Sequence, residues 1–212
     1  SVHSYVFDDL EEGQAYQFFG FLNKQFDEVG WFYCASGCLT PDRYVTYNYV
    51  ERTWSIGQLE RTAWLDEGIV AFPRAAGKDS SAPYLYQHET GNDADGVPMD
   101  DVYVESADFD IGDGEQFQFI RRMIPDVKFT GTGGSDQQVN VVLKARNYPG
   151  NSLTTDQTTS FTASTTKIDM RARARQAVLR FESDDDAASD LRLGVGFRVG
   201  GTRLDLQPNG RR

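Results

Sequence analysis

Residues 42–54, Asp-Arg-Tyr-Val-Thr-Tyr-Asn-Tyr-Val-Glu-Arg-Thr-Trp, repeat with a period of two. On an extended chain Val45, Tyr47 and Tyr49 fall on one face, Thr46 and Asn48 on the other. β-Branched and aromatic side chains of this kind fit a pleated, half-buried surface. Glu51-Arg52 is a polar break, and Thr53-Trp54-Ser55-Ile56 resumes as a short strand. A Tyr-Asn-Tyr strand, a tight turn and a Trp one strand over read as the outer half of a β-propeller blade. The Trp is then expected to wedge between blades, where a large flat side chain buries much apolar area. An ordinary hairpin with a surface-packed Trp fits the same residues.

Strands expected near 17–22, 28–34, 43–50 and 53–58 make one four-stranded antiparallel meander. Its second member, Glu28-Val-Gly-Trp-Phe-Tyr-Cys34, is nearly continuous in apolar residues, as in a strand covered on both faces. Residues 5–10 suit either a short strand or one helical turn. A further unit opens at Arg61-Thr-Ala-Trp64-Leu65 and resumes at Ala82–Glu89, but it is incomplete as a blade. Closed propellers use ~4–8 blades, so either other blades lie outside this chain or the blade-like part packs differently.

Turn formers crowd Thr90–Pro98, which reads as a boundary between a blade-like domain at 1–92 and a second domain at 93–212. Alternation is cleaner beyond it. Gln116-Phe117-Gln118-Phe119 alternates strictly, and so does Val139–Arg146, with Val139, Val141, Leu143 and Ala145 inward. Leu191, Leu193, Val195, Phe197 and Val199 share a face, and Leu204 and Leu206 continue the pattern. With Val102–Asp108 and Met170–Phe181, six to eight antiparallel strands with one polar face each give a β-sandwich-like region. No stretch keeps a 3.6-residue apolar period for three turns, so the fold class is all-β: partial propeller-like blades followed by a sandwich-like region.

At 212 residues the chain can bury a sizeable core. Nothing approaches the ~18 consecutive apolar residues of a membrane span. The start, Ser1-Val-His-Ser4, has no charged region followed by an apolar one and no Met, so the chain reads as processed or as part of a longer product. A net charge of −11 argues against gripping phosphates, which calls for a basic footprint. It suits a wall past which DNA slides without sticking. Cys34 and Cys38 stand close together, but zinc would need two more ligands and the only histidines are His3 and His88. Free thiols, or a small local disulfide, are the remaining readings; no metal or cofactor is expected.

Candidate chemistry is sparse. Asp108-Phe-Asp110-Ile-Gly-Asp113-Gly-Glu115 superficially resembles a calcium loop, yet Gly112 falls where a ligand belongs and Asp113 where the obligatory Gly belongs. Asn92-Asp93-Ala94-Asp95-Gly96 fits no better, and solvated turn acids are the expectation for both. There is no Gly-x-Ser-x-Gly, and Gly131-Thr-Gly-Gly134 lacks the Lys-Ser/Thr of a phosphate loop. The chain reads as a non-enzyme. Arg171, Arg173 and Arg175 are more telling, since in a regular strand they would share a face with Leu179 and Phe181. A row of arginines does not enter a core unpaired. Either a bulge near Arg175-Gln176 flips the parity, or the row meets acids of another strand or subunit, with Asp184-Asp185-Asp186 of a neighbouring copy as one available counterpart. A plain solvated face is the simpler alternative.

Taken together, Glu28-Val-Gly-Trp-Phe-Tyr, Asp42-Arg-Tyr-Val-x-Tyr-Asn-Tyr, Trp54-Ser-Ile-Gly and Arg61-Thr-Ala-Trp resemble the C-terminal part of tail hub or nozzle proteins of short-tailed double-stranded-DNA bacteriophages, also called packaged-DNA-stabilising proteins. Later markers follow in order: Gln87-His-Glu-Thr-Gly91, Glu105-Ser106, Asp110–Glu115, Arg122-Met-Ile-Pro-Asp126, Ala174-Arg-Gln176 and Gly200-Gly-Thr-Arg-Leu-Asp205. The resemblance implies a virion protein of the phage tail, in a hexameric ring below the portal and adaptor that continues the DNA channel, with a propeller in each subunit. It implies DNA passing without sequence-specific binding, and contacts to other tail proteins. In that setting Trp31, Trp54 and Trp64 are expected to pack blades, and Arg171, Arg173 and Arg175 to contact a subunit or partner. Two rivals are a carbohydrate-binding tail module, which needs exposed tryptophans as stacking platforms, and a free-standing β-sandwich interaction domain, which would be monomeric.

Overall fold

The computed structural model describes residues 1–68, 70–79, 82–94, 96–112, 114–131, 137–184 and 194–210. Two compact units divide the chain at Thr90/Gly91. Both are built almost wholly of antiparallel strands.

Unit 1 starts with a single short helix, α1 (Val2–Phe7), N-capped by the Ser1 hydroxyl, which accepts from the Ser4 N–H. Four strands follow in up-and-down order: β1 (Phe19–Asn23), β2 (Glu28–Tyr33), β3 (Arg43–Asn48) and β4 (Thr53–Gln58). This is the meander the alternation predicts. Both faces of β2 are covered. Tyr33 and Val45 are buried with Val6 of α1 on one side. On the other, Phe32 packs with Phe19, Phe21 and Tyr44 at centroid distances of 5.2, 4.9 and 5.8 Å. Phe21 lies across its register partner Gly30, where an added Cβ would stand 2.3 Å from the ring; any side chain at Gly30 would displace it.

A second sheet of unit 1 joins β5 (Ala63–Leu65), β6 (Arg74–Asp79) and β7 (Ala82–Gln87). Its contribution to the first sheet is Trp64, whose ring sits 4.6 Å from Phe21 and 6.0 Å from Phe32.

Unit 2 contains β8 (Tyr103–Glu105), β9 (Gln118–Ile124), β10 (Val127–Phe129), β11 (Gln138–Arg146), β12 (Thr154–Thr162), β13 (Ile168–Ala174), β14 (Gln176–Ser183), β15 (Phe197–Val199) and β16 (Arg203–Pro208). One sheet has the order β12-β11-β14-β8 and another β13-β9-β16, while β10 pairs β15. Val139, Val141, Leu143, Phe161, Ala177, Leu179 and Phe181 from the first share one apolar cluster with Ile120, Met123, Ile168, Met170 and Ala172 from the second. Val195, Phe197, Val199, Leu204 and Leu206 pack against it. Leu191 and Leu193, expected on the same face, lie outside the described residues.

Two expectations are corrected here. Met170–Phe181 is not one strand: β13 and β14 belong to different sheets and the chain turns between them at Arg175. Inward residues run Met170, Ala172, Ala174 before the corner and Ala177, Leu179, Phe181 after it. A corner that hands the chain from sheet to sheet flips the parity that a bulge was expected to flip. The second correction concerns 116–119, where Gln118 rather than Phe119 is fully buried on β9. Pairing to β16 steps from Asp205↔Arg122 to Leu206↔Ile120, so Arg121 is the extra residue of a bulge. That bulge puts Gln118, Ile120 and Met123 on the same side.

Candidate interaction surfaces

Each face of the β1–β4 sheet carries aromatic residues, and the register decides which are covered. Trp54 pairs with Tyr47, and Val45 pairs with both Trp31 and Ile56. These side chains project away from Phe21, Phe32 and Trp64. Trp54 packs against Tyr47 at 4.8 Å and Trp31 at 6.1 Å, with its ring 28° from the Trp31 plane. It is nonetheless 48% exposed on the outermost strand, with Ile56 and Tyr49 exposed nearby. A buried wedge is therefore not what this chain provides at Trp54. Trp64 holds that position between sheets instead, because it lies on the side that the β5–β7 sheet covers. Trp31 is intermediate, reached from one end by the α1 cluster.

Trp64 also stacks on His88 at 4.6 Å, which belongs to a cluster that sequence reading passed over. Arg61 is 8% exposed, and its guanidinium donates from Nε to His88 Nε2 (3.0 Å) and from Nη1 to the Glu60 carbonyl (2.7 Å) and lies 3.8 Å over the Tyr86 ring. Gly77 leaves room for it, since an added Cβ would stand 2.5 Å from the Glu60 carbonyl and 3.1 Å from Nη1. Burial first, and then the Arg61 charge, lower the His88 pKa to about 4, so the imidazole stays neutral and accepts. The sequence signal was faint: an Arg beside a Trp, and a lone His.

The arginine row of β13 faces outward, as its alternating burial shows. Arg173 lies 3.9 Å over the Phe117 ring and donates to the Asn209 carbonyl at 3.2 Å. Arg175 stands 5.0 Å from Phe117 and 5.6 Å from Tyr148. Both thus serve their own chain. The Arg171 guanidinium is exposed, and its backbone N–H donates to Gln157 Oε1 (3.2 Å). The proposed counterpart needs correction as well. Asp184 is buried and accepts from Gln138 Nε2 (2.5 Å) and Ser160 Oγ (3.0 Å) of its own chain; Asp185 and Asp186 lie outside the described residues.

The acids of the expected turn at 108–115 are not simply solvated. Phe109 exchanges both backbone hydrogen bonds with Ala177, which turns its neighbours outward. There Asp108 pairs with Arg146, and Asp110 accepts from Gln176 Nε2 (3.4 Å). Lys144 meets Glu105 at 2.5 Å, and Arg180 binds Glu182 at 2.5 Å while lying 3.7 Å over Tyr103. Alternate residues of β11, β14 and β8 thereby form a mixed-charge ladder on one sheet face. Asp113, Asp95 and residues 132–134 lie outside the described residues. Cys34 is buried, Cys38 partly so, and both are free thiols.

No helix of the described residues is long and apolar enough to cross a membrane. No protein-family model matches the chain, and a search of curated proteins finds no match to it.

Proposed function

We propose that this chain is a structural subunit of a bacteriophage tail hub or nozzle, part of a ring that continues the DNA channel below portal and adaptor and retains and conducts packaged DNA. The observation that carries the reading is the β1–β4 meander: Trp64 of a second sheet packs on one face, and the opposite face, covered at β2 by the α1 cluster, ends at β4 in the exposed side chains of Trp54 and Ile56 beside half-buried Trp31 and Tyr47. A propeller blade presents one face to each of its two neighbours, so the sheets of unit 1 are read as blade-like. Unit 2, with two sheets contributing to one core, is read as sandwich-like. The mechanism is steric and electrostatic: an acidic lumen lets DNA pass, and outward arginines fix register between copies or with neighbouring tail proteins. No step of it is catalytic.

Arg171 is the residue for the test, because Arg173 and Arg175 also hold Phe117. Arg171→Glu is expected to fold normally, to lose incorporation into rings or tails, and to leave DNA affinity unchanged. Assembly that persists while DNA affinity falls, together with a shallower salt dependence, would show that the arginine meets nucleic acid.

One observation favours a second reading, a carbohydrate-binding tail module: Trp54 is half exposed beside Trp31 and Tyr47. In that case Trp54→Ala abolishes glycan binding and leaves assembly intact. In the tail-ring reading it impairs assembly, and the wild-type protein retains no glycan.

A further inference from the structure

We propose that Asn23, Glu28 and Glu89 form a site for a hard divalent cation, Ca2+ in kind. Asn23 ends β1 and Glu28 begins β2, and the two are register partners on the same sheet face. Glu89 follows β7, held at a left-handed φ of 61°, and its Oε1 accepts from Asn23 Nδ2 at 2.8 Å. Asn23 is only 4% exposed, and its Oδ1 is fully buried with no donor among the described residues. A buried amide oxygen left bare costs on the order of 1–3 kcal/mol, and here the amide belongs to a side chain that is bonded to one carboxyl, Glu89, and lies across the register from another, Glu28.

Several half-buried acids of unit 2 are neutralised directly. Glu105, Asp108 and Glu182 each meet a lysine or arginine. Among the described residues Glu28 and Glu89 meet neither, and the groups that act on their charge are burial, other glutamates and the Asn23 amide. Two carboxylates with no lysine or arginine partner among the described residues, beside a residue whose buried amide oxygen has no donor, are what a cation would neutralise. No trio of His, Cys, Asp or Glu converges among the described residues; in this donor set an amide oxygen is the third protein ligand. All-oxygen donors select a hard ion over zinc. With only three protein groups and the remainder water, affinity belongs in the weak range, roughly 10⁻⁴–10⁻³ M.

The test compares the intact chain in EDTA and in Ca2+, with Glu28→Gln/Glu89→Gln as the variant and Asp108→Asn as the control. At ~10 times the dissociation constant, Ca2+ should raise the melting temperature of the wild type and of the control by about 3–5 °C. The double variant should melt no lower than wild type in EDTA, since like charges have been removed, and should ignore Ca2+. Tb3+ luminescence excited through the tryptophans, and its displacement by Ca2+, reports occupancy on the unmodified chain even if the variant does not fold. A wild-type melting temperature and Tb3+ signal indifferent to Ca2+ would overturn the site and assign Asn23 Oδ1 to water. A Ca2+ effect that survives in a folded double variant would place the ion elsewhere and overturn it equally.

Discussion

His88 shows how one residue acquires its behaviour from its neighbours. An ordinary histidine takes up a proton near pH 6.5, but here Trp64 covers the ring and Arg61 donates to it, so protonation is held off to about pH 4. The folded pKa lies below the unfolded one, so between these values the unfolded chain binds more protons. The stabilisation is complete above about pH 6.5 and is lost as pH falls towards 4. Discounted for the solvent that still reaches the ring, it amounts to roughly 1–2 kcal/mol. Glu28 and Glu89 act in the opposite sense: their carboxyls are held above the usual range, so their contribution falls as pH rises through the raised values. Denaturation midpoints from pH 7 to 4, measured for wild type and for His88→Gln, separate the two. The wild type should lose more stability than the variant over that window, and parallel profiles would contradict the assignment. Nothing in the local sequence Gln87-His-Glu announces this, because His88 meets Arg61, which Tyr86 and Gly77 hold in place, only through the folding of the β5–β7 sheet.

At the scale of the element, alternation was legible where a strand stays in one sheet and illegible where it leaves. The β1–β4 register follows from residues 28–58, since Tyr and Val at every second position permit one pairing. Arg175 hides the β13/β14 corner, because a change of sheet depends on partners distant in sequence. The Arg121 bulge likewise brings Gln118 into the core, where its Nε2 donates to the Phe109 carbonyl (3.2 Å), a bond no pattern of apolar residues contains. The same limit hid the difference between Trp54 and Trp64, both expected to pack between sheets: each follows a strand start, and only the stacking of the two sheets says that Trp64 is covered and Trp54 is not. Trp64→Ala should therefore cost about 3–5 kcal/mol, as for a large ring removed from between sheets. Trp54→Ala on the isolated chain should cost roughly 1 kcal/mol, since about half of its surface is already wet. Chemical denaturation of the two variants checks the order, and a larger loss at Trp54 would restore it as the buried wedge.

For the whole molecule, two all-β units, a net charge of −11 and the exposed Trp54 and Ile56 at the β4 edge are the features that the proposed ring subunit rests on. The candidate sites were less legible than the fold. Arg171 and Arg173 project outward from β13 while Arg175 is half-buried at the corner, Arg173 and Arg175 spend their guanidinium groups on Phe117, and Asp184 is engaged inside its own chain. Such engagements depend on the loops at 117 and 209 returning to the corner, which sequence spacing does not encode. The central claim is that this chain works in a tail ring around DNA. Cryo-electron microscopy of the assembled phage particle, with the chain located by a bound antibody fragment, addresses it directly. The label is expected on a closed ring coaxial with the portal, with Trp54 covered by an adjoining sheet. A label on a peripheral fibre or spike, with Trp54 open to solvent or to glycan, would contradict it.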